Sequence, residues 1–262
     1  MSLMQSETEI KQAVILAGGR GERLRPLTND LPKPLAPIND IPFLDYLIAT
    51  INQAGIKRIL LLLGYRSGMI IDRYSKPFYN DEMQIEFSVG HLNDQTGRRL
   101  INAYELLDNT FLLLYGDNYW PIEWDNMINL YKRKNVEVMT TVFGNRNGTG
   151  EYGKQNNVTV GEDAFVKCYD KGRKSENLNG VDIGYFIVSK NILNPHRIGN
   201  ISFEEDILPE LISQKQLIAY ITNTQYYYIT TMESLKTFEA YVKQNDTQYL
   251  SRGDNELFPK VF

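Results

Sequence analysis

The chain has 262 residues, with 28 Lys and Arg against 32 Asp and Glu, a formal net charge of −4, and 42% hydrophobic residues. That length accommodates one large α/β domain or two small ones, and the composition is that of a globular protein. The acid excess argues against binding to nucleic acid or a membrane surface, and the single cysteine, Cys168, excludes an internal disulfide framework and suits a reducing cytosol.

No apolar run reaches the ~18–20 residues of a membrane span, and the N-terminus lacks the basic-then-apolar layout of a signal peptide. A cytoplasmic location is the expectation. Residues 1–10, with Met1-Ser2-Leu3 ahead of a second methionine, Met4, are set aside as a disordered segment or tag remnant. Residues 13–17 (AVILA) form a continuous apolar run ending in Gly18-Gly19, which reads as a buried strand entering a loop. Pro42 opens a helical pattern over 43–54, closed by Gly55. Residues 59–63 (ILLLL) are a second buried strand, 85–89 a short one, 99–107 a helix, and 111–115 (FLLLY) a further strand. Such alternation implies a parallel sheet with helices on both faces. The second half is richer in strands, at 137–143, 164–169, 183–188 and 226–230, with helices at 125–134, 203–213 and 232–243. One domain over 11–245 is expected. Residues 246–262 read as a polar tail or linker that ends in an apolar Leu-Phe-Pro-Lys-Val-Phe.

Residues 16–38 (LAGGRGERLRPLTNDLPKPLAPI) carry the most information. A buried strand delivers Gly18, Gly19 and Gly21 to the C-terminal edge of the sheet, where open α/β sheets bind ligands. Glycines let backbone amides approach phosphates closely. Arg20, Arg23 and Arg25 follow, and Lys33 sits between two prolines that stiffen its loop. Donors and cations at this density suit a triphosphate of roughly −4 charge. The plain alternative is a Gly-rich turn with solvated arginines. Two rival phosphate motifs fail: no G-x-x-x-x-G-K-[ST] occurs, and the glycines read G-G-x-G rather than G-x-G-x-x-G. The second strand also ends in Gly64-Tyr65-Arg66, without an acid for a ribose, which disfavours a nicotinamide dehydrogenase.

Residues 18–38 resemble the signature of the sugar-1-phosphate nucleotidylyltransferases, and the similarity runs over nearly all of 11–245. The resemblance implies an α/β, Rossmann-like three-layer sandwich, with a mainly parallel central sheet and a small antiparallel sugar-binding insertion. It implies transfer of a nucleotidyl group from an NTP to a sugar 1-phosphate, with release of pyrophosphate. Leu16, Ala17, Gly18, Gly19 and Gly21 would then bind the nucleotide, while Arg23 and Lys33 bind the triphosphate and draw charge from the transferred phosphorus. Asp117, in Gly116-Asp117-Asn118 at the tip of the strand 111–115, is the expected Mg²⁺ ligand, since Mg²⁺ takes one or two carboxylates plus phosphate oxygens. Alone, a Gly-Asp after a strand is more often a turn. Lys171, after Tyr169-Asp170, would grip the phosphate of the sugar 1-phosphate, and Asp182 would accept from a sugar hydroxyl. Ser202 reads as a helix cap with Glu205 completing a capping box, and Glu204 is assigned to the sugar phosphate site or, equally, to a solvated helix start. No general base is needed for an ionised sugar phosphate, which agrees with His91 and His196 being structural or exposed.

Two departures from the family pattern stand out. A second metal aspartate is usual near 228, where this chain has Tyr228, a poor Mg²⁺ ligand. The Gly-Thr-Ala/Gly-Gly-Ala loop that touches base and sugar reads Gln95-Thr96-Gly97-Arg98-Arg99 here, so Gln95 and Gly97 are assigned to the nucleotide. Arg99 reads as pointing away to begin the next helix, and Arg98 stays open between that and a ligand contact. These breaks sustain an alternative, a catalytically weak or inactive regulatory module of the same fold. The compact length is similar to heptose- and mannose-1-phosphate guanylyltransferases and to thymidylyl- and cytidylyltransferases for glucose 1-phosphate. The Tyr169-Asp170-Lys171 and Gly116-Asp117-Asn118 variants incline the resemblance towards the heptose guanylyltransferase-like branch, whose product would feed a surface polysaccharide. A homodimer is an expectation of the same origin, while the abrupt apolar end Lys260-Val261-Phe262 reads as the clipped first strand of a fused domain, such as a sugar-phosphate phosphatase, which a separate partner could also supply.

Overall fold

The computed structural model describes residues 9–75 and 83–245; the tail expected over 246–262 and most of the segment set aside at the N-terminus lie outside them. The chain begins with β1 (Gln12–Ala17) and three short 3-10 turns, Glu22–Leu24, Leu27–Asn29 and Lys33–Leu35. A tight pair, β2 (Pro37–Ile38) and β3 (Ile41–Pro42), leads into α1 (Phe43–Gln53). Then come β4 (Arg58–Leu63), α2 (Ser67–Tyr74), β5 (Gln84–Val89), α3 (Thr96–Asn102), β6 (Thr110–Tyr115) and β7 (Asn118–Tyr119). The second half contains α4 (Trp124–Lys134), β8 (Val138–Phe143), β9 (Val158–Val160), β10 (Val166–Tyr169) and β11 (Val181–Ser189). A π turn, Phe203–Ile207, runs into α5 (Leu208–Ser213), followed by β12 (Leu217–Thr222), β13 (Tyr227–Tyr228) and α6 (Met232–Gln244).

Seven strands form one sheet in the order β12-β8-β11-β6-β1-β4-β5. Only β11 runs against its neighbours β6 and β8; the other contacts are parallel. All nine residues of β11 are buried, as a strand covered on both faces requires. Successive residues of β1 face opposite layers, Ala13, Ile15 and Ala17 one way and Val14 the other, giving two separate cores. Helices α1, α4 and α6 close the first core, and α3, the π turn and α5 the second, so the three-layer sandwich is as expected. Between β8 and β11, β9 and β10 pair antiparallel as the insertion.

Local chemistry explains the boundaries. At the end of α1, Gly55 (φ +80°) donates to the Asn52 carbonyl (3.0 Å) and Ile56 to that of Ile51 (3.3 Å), a Schellman closure that a left-handed glycine makes inexpensive. The helix expected over 99–107 instead starts at Thr96 and tightens into a 3-10 turn at Tyr104–Leu106. The helix expected from 203 opens as a π turn, capped by the Ser202 hydroxyl accepting from the Glu205 amide (3.1 Å). Of the strand expected over 226–230, only Tyr227 and Tyr228 pair, with Tyr119 and Asn118. Elements without a sequence expectation include α2, with only Ile70 and Tyr74 buried, the three-residue β9, and the sheet-edge strand β12. Ile10, set aside with the N-terminus, is buried in the first core. Among the described residues no helix is long and apolar enough to cross a membrane.

Candidate active site

The C-terminal ends of β1, β4, β5 and β6 lie side by side, and each is followed by a glycine: Gly18, Gly64, Gly90 and Gly116. A cleft of about 550 Å³ opens there, a size suited to a nucleotide-scale ligand. It is lined by Leu16–Gly19, by Lys33 and Gly116-Asp117, and by Gln95, Lys171 and Glu204. Nine of the residues singled out from sequence thus meet in one place, drawn from segments as far apart as β1 and the π turn.

The end of the cleft formed by β1 and β6 is built by close backbone approach. A Cβ at Gly116 would lie 2.6 Å from the Leu16 carbonyl oxygen, so only glycine lets β6 deliver Asp117 beside the Gly18 loop. Gly21 holds φ +64°, and a Cβ there would meet Lys33 Cβ and Thr28 Cγ2 at 3.0 Å. Gly21 therefore serves to pack the Lys33 turn against the loop; it does not line the cleft. Lys33, 12% exposed, places its Nζ 2.8 Å from Asp117 Oδ2. Burial works to raise the Asp117 carboxyl, yet the Lys33 ammonium outweighs it and holds the group below its ordinary value. The Asp117 carbonyl accepts from the Ile229 amide (3.0 Å), which ties β13 and its neighbour Tyr228 to the metal-candidate end of β6.

The part of the cleft around Glu204 is a network of side chains. Glu204, 6% exposed, accepts from the Tyr115 hydroxyl (2.5 Å), the Thr96 hydroxyl (2.6 Å) and the Ser202 hydroxyl (3.0 Å). Glu204 is thus a buried hub, and the solvated-helix-start reading is corrected. Lys171 stands at the mouth, 3.3 Å from Glu205. Asp182 lies behind the cleft wall, with Thr140, Tyr169 and the Gly184 amide all donating to its carboxylate (2.8, 3.1 and 3.1 Å). Burial, with Glu204 nearby, pushes its carboxyl up to about 6 against those donors.

Several expectations need correction. Arg99 does not point away: its guanidinium lies under Gly18 and lines the cleft. Arg98, which the sequence leaves open, lies outside the cleft lining and donates to the Gly199 and Arg197 carbonyls (2.7 and 2.5 Å). Gly97 is covered by Ile201 and Phe203, where a Cβ would fall 2.9 Å from the Ile201 carbonyl, so its role here is packing. Arg23 reaches Glu151 (3.0 Å) and the Tyr152 hydroxyl (3.1 Å) and stands outside the cleft lining. Tyr115, Thr96, Ser202 and Glu151 had no assigned ligand role; Tyr115 and Thr96 abut quoted motifs, whereas Glu151 carries no local signal.

A metal fits this donor set in one way. Among the described residues no three His, Cys, Asp or Glu side chains converge, so a protein-only cage is absent. Mg²⁺ needs none, because it binds through one or two carboxylates with waters and phosphate oxygens, and Asp117 supplies one carboxylate at the cleft wall.

The nucleotidyl transferase family profile matches residues 12–245. A D-glycero-alpha-D-manno-heptose 1-phosphate guanylyltransferase of Aneurinibacillus thermoaerophilus is 26% identical over 218 residues, covering 82% of this chain and 91% of the relative. The Campylobacter jejuni protein of the same name is 29% identical over 200 residues, covering 74% and 83%. A crystal structure of HddC from Yersinia pseudotuberculosis superposes with a TM-score of 0.72 at 25% identity, over 88% of this chain and 99% of its own.

Proposed function

The chain belongs to the nucleotidyl transferase family, and on that premise we propose that it transfers a nucleotidyl group from an NTP to a sugar 1-phosphate, releasing pyrophosphate. The observation that carries this reading is the Lys33–Asp117 pair in the glycine-lined cleft that Lys171 also lines. A sugar phosphate oxygen attacks the α-phosphorus in line; one P–O bond forms, the bond to the β-phosphate oxygen breaks, and pyrophosphate leaves. An ionised phosphate needs no general base, so the chain's work is positioning and charge neutralisation. Gly18 and Gly19 hold the nucleotide by backbone, and Lys33 exchanges Asp117 for phosphate oxygens. Lys171 leaves Glu205 for the acceptor phosphate, and Glu204 fixes the Tyr115 and Thr96 hydroxyls between the two substrates. Arg23 joins from the cleft rim once it releases Glu151. Asp117 would hold Mg²⁺, which neutralises charge on the transferred and leaving phosphates when bound.

The relatives named above act on heptose 1-phosphate with a guanylyl donor, which makes GTP with that sugar phosphate the first pair to try and a surface polysaccharide the proposed destination. Nothing in the site favours the inactive-module alternative. Pyrophosphate release over GTP, ATP, CTP, UTP and dTTP against heptose, mannose and glucose 1-phosphates, with and without Mg²⁺, tests the reading. One productive, metal-dependent pair is expected; silence across the grid with intact, folded protein contradicts it.

A further inference from the structure

Three cations line the cleft, and their partners differ. Lys33 is neutralised by Asp117 (2.8 Å) and Lys171 by Glu205 (3.3 Å). Arg99, 6% exposed, forms no ion pair with any described carboxylate. Its Nη atoms donate to the carbonyls of Leu63 (2.7 Å) and His91 (3.1 Å), with longer contacts to Gly18 and Leu92 (3.4 Å each). Those carbonyls stand at the end of β1, the end of β4 and the turn after β5, so one guanidinium ties together the ends of three adjacent parallel strands.

The strand ends are shaped to admit it. A Cβ on Gly18 would have three Arg99 atoms as its nearest contacts, with Cζ at 2.4 Å. A Cβ on Gly64 would lie 2.8 Å from both Nη atoms, and one on Gly90 3.2 Å from Nη1. Asp94 shares the Gly90 hollow and acts on Arg99 through space, but its Oδ2 accepts from the His91 amide (2.7 Å) and the Asn102 amide group (3.1 Å). Neutral carbonyls satisfy a guanidinium's donors without cancelling its charge. Burial pushes Arg99 below the usual guanidinium value, yet an arginine stays protonated at neutral pH.

We propose that Arg99 is a positioning residue of the nucleotide cleft: it braces the Gly18-Gly19 loop against β4 and the turn after β5, and it supplies a positive charge, held by no direct ion pair and balanced only through space by Asp94, that an anionic nucleotide neutralises. The inference rests on the reading of the cleft as a nucleotide site. The resemblance seen in sequence puts a small residue at this position, so the brace distinguishes this chain from that pattern.

The test is calorimetric titration of the full chain and its Arg99→Met and Arg99→Lys variants with GTP and with guanosine, the other four NTPs being run in parallel. Arg99→Met is expected to weaken GTP binding about tenfold, the effect of losing one buried charge near a phosphate chain. Guanosine affinity should change far less, and Arg99→Lys should recover most of the GTP affinity. Wild-type protein that binds no NTP overturns the nucleotide reading itself. Wild-type binding left unchanged by Arg99→Met overturns the role of Arg99 alone. Equal losses for GTP and guanosine, unrescued by lysine, reduce Arg99 to a packing element and also overturn it. Thermal unfolding of Gly18→Ala gives a check independent of any Arg99 variant. The new methyl collides with the guanidinium, so Tm should drop in the wild-type background and barely change in Arg99→Ala. No drop in the intact chain overturns the brace.

Discussion

The two halves of the cleft are made differently. Around Gly18 and Asp117, the proposed nucleotide side, backbone ends of β1 and β6 come within glycine-only distance, and two short reaches join them, Lys33 to Asp117 and Arg99 to the strand carbonyls. On the proposed acceptor side, Glu204, Tyr115, Thr96 and Ser202 hold one another through hydroxyl hydrogen bonds, and Lys171 stands half-exposed at the rim. A scaffold of strand ends fixes charge in place at little entropic cost, whereas a side-chain network can be re-tuned without moving the sheet. Under the proposed function, the half that handles the nucleotide is rigid by construction, and the half that meets the sugar phosphate is adjustable.

If that division is right, the largest effect falls on the rigid half. Asp117→Asn removes the only carboxylate at the tip of β6 and the partner of Lys33, and should lower Mg²⁺-dependent turnover by about a hundredfold or more; steady-state rates across a Mg²⁺ titration measure it, and unchanged turnover would remove Asp117 from the site. Lys171→Ala should be milder and selective. A rim cation with a half-exposed partner is expected to raise the KM for the sugar 1-phosphate about tenfold while leaving that for the NTP within about twofold. Equal rises for both substrates would erase the distinction between the halves.

The smallest effect concerns pH. Asp182 titrates near 6 in the folded chain, against about 3.9 when unfolded. Between those values the native state keeps a proton that the unfolded chain has lost, so this group's contribution to stability falls as pH rises from about 4 to 6. The loss is at most about 3 kcal/mol and is constant above that window. Asp182→Asn should therefore flatten this part of the pH dependence of Tm relative to wild type; an unchanged profile would mean that the carboxyl is not raised.

The contrast also explains what could be read from sequence. The stretch from Leu16 to Lys33 is contiguous, so its glycines and cations announce themselves, and Asp117 follows from the rule that parallel strands present ligands at their C-terminal ends. Arg99 misleads because two of its four acceptors, the Leu63 and Gly18 carbonyls, arrive from 36 and 81 positions away; a local window sees only the start of a helix. Asp182 is placed at a sugar hydroxyl by the resemblance alone, and in the fold Thr140 on β8 and Tyr169 on β10 donate to its oxygens once the insertion packs. Gly97 sits in a loop motif whose surface role is removed by Ile201 packing over it. Edge strands such as β9 were missed because a three-residue pairing leaves no period to detect.

The central claim is that this cleft moves the α-phosphate of an NTP onto a sugar 1-phosphate. Parallel reactions with α-³²P- and γ-³²P-labelled GTP, heptose 1-phosphate and Mg²⁺ test it most directly, after treatment with phosphatase. The account predicts α label in a phosphatase-resistant sugar nucleotide that forms only when the sugar phosphate is present, and γ label released as pyrophosphate before the treatment. Recovery of the α label as GMP-derived phosphate, or γ label on the sugar, with every donor and acceptor in the grid would contradict it.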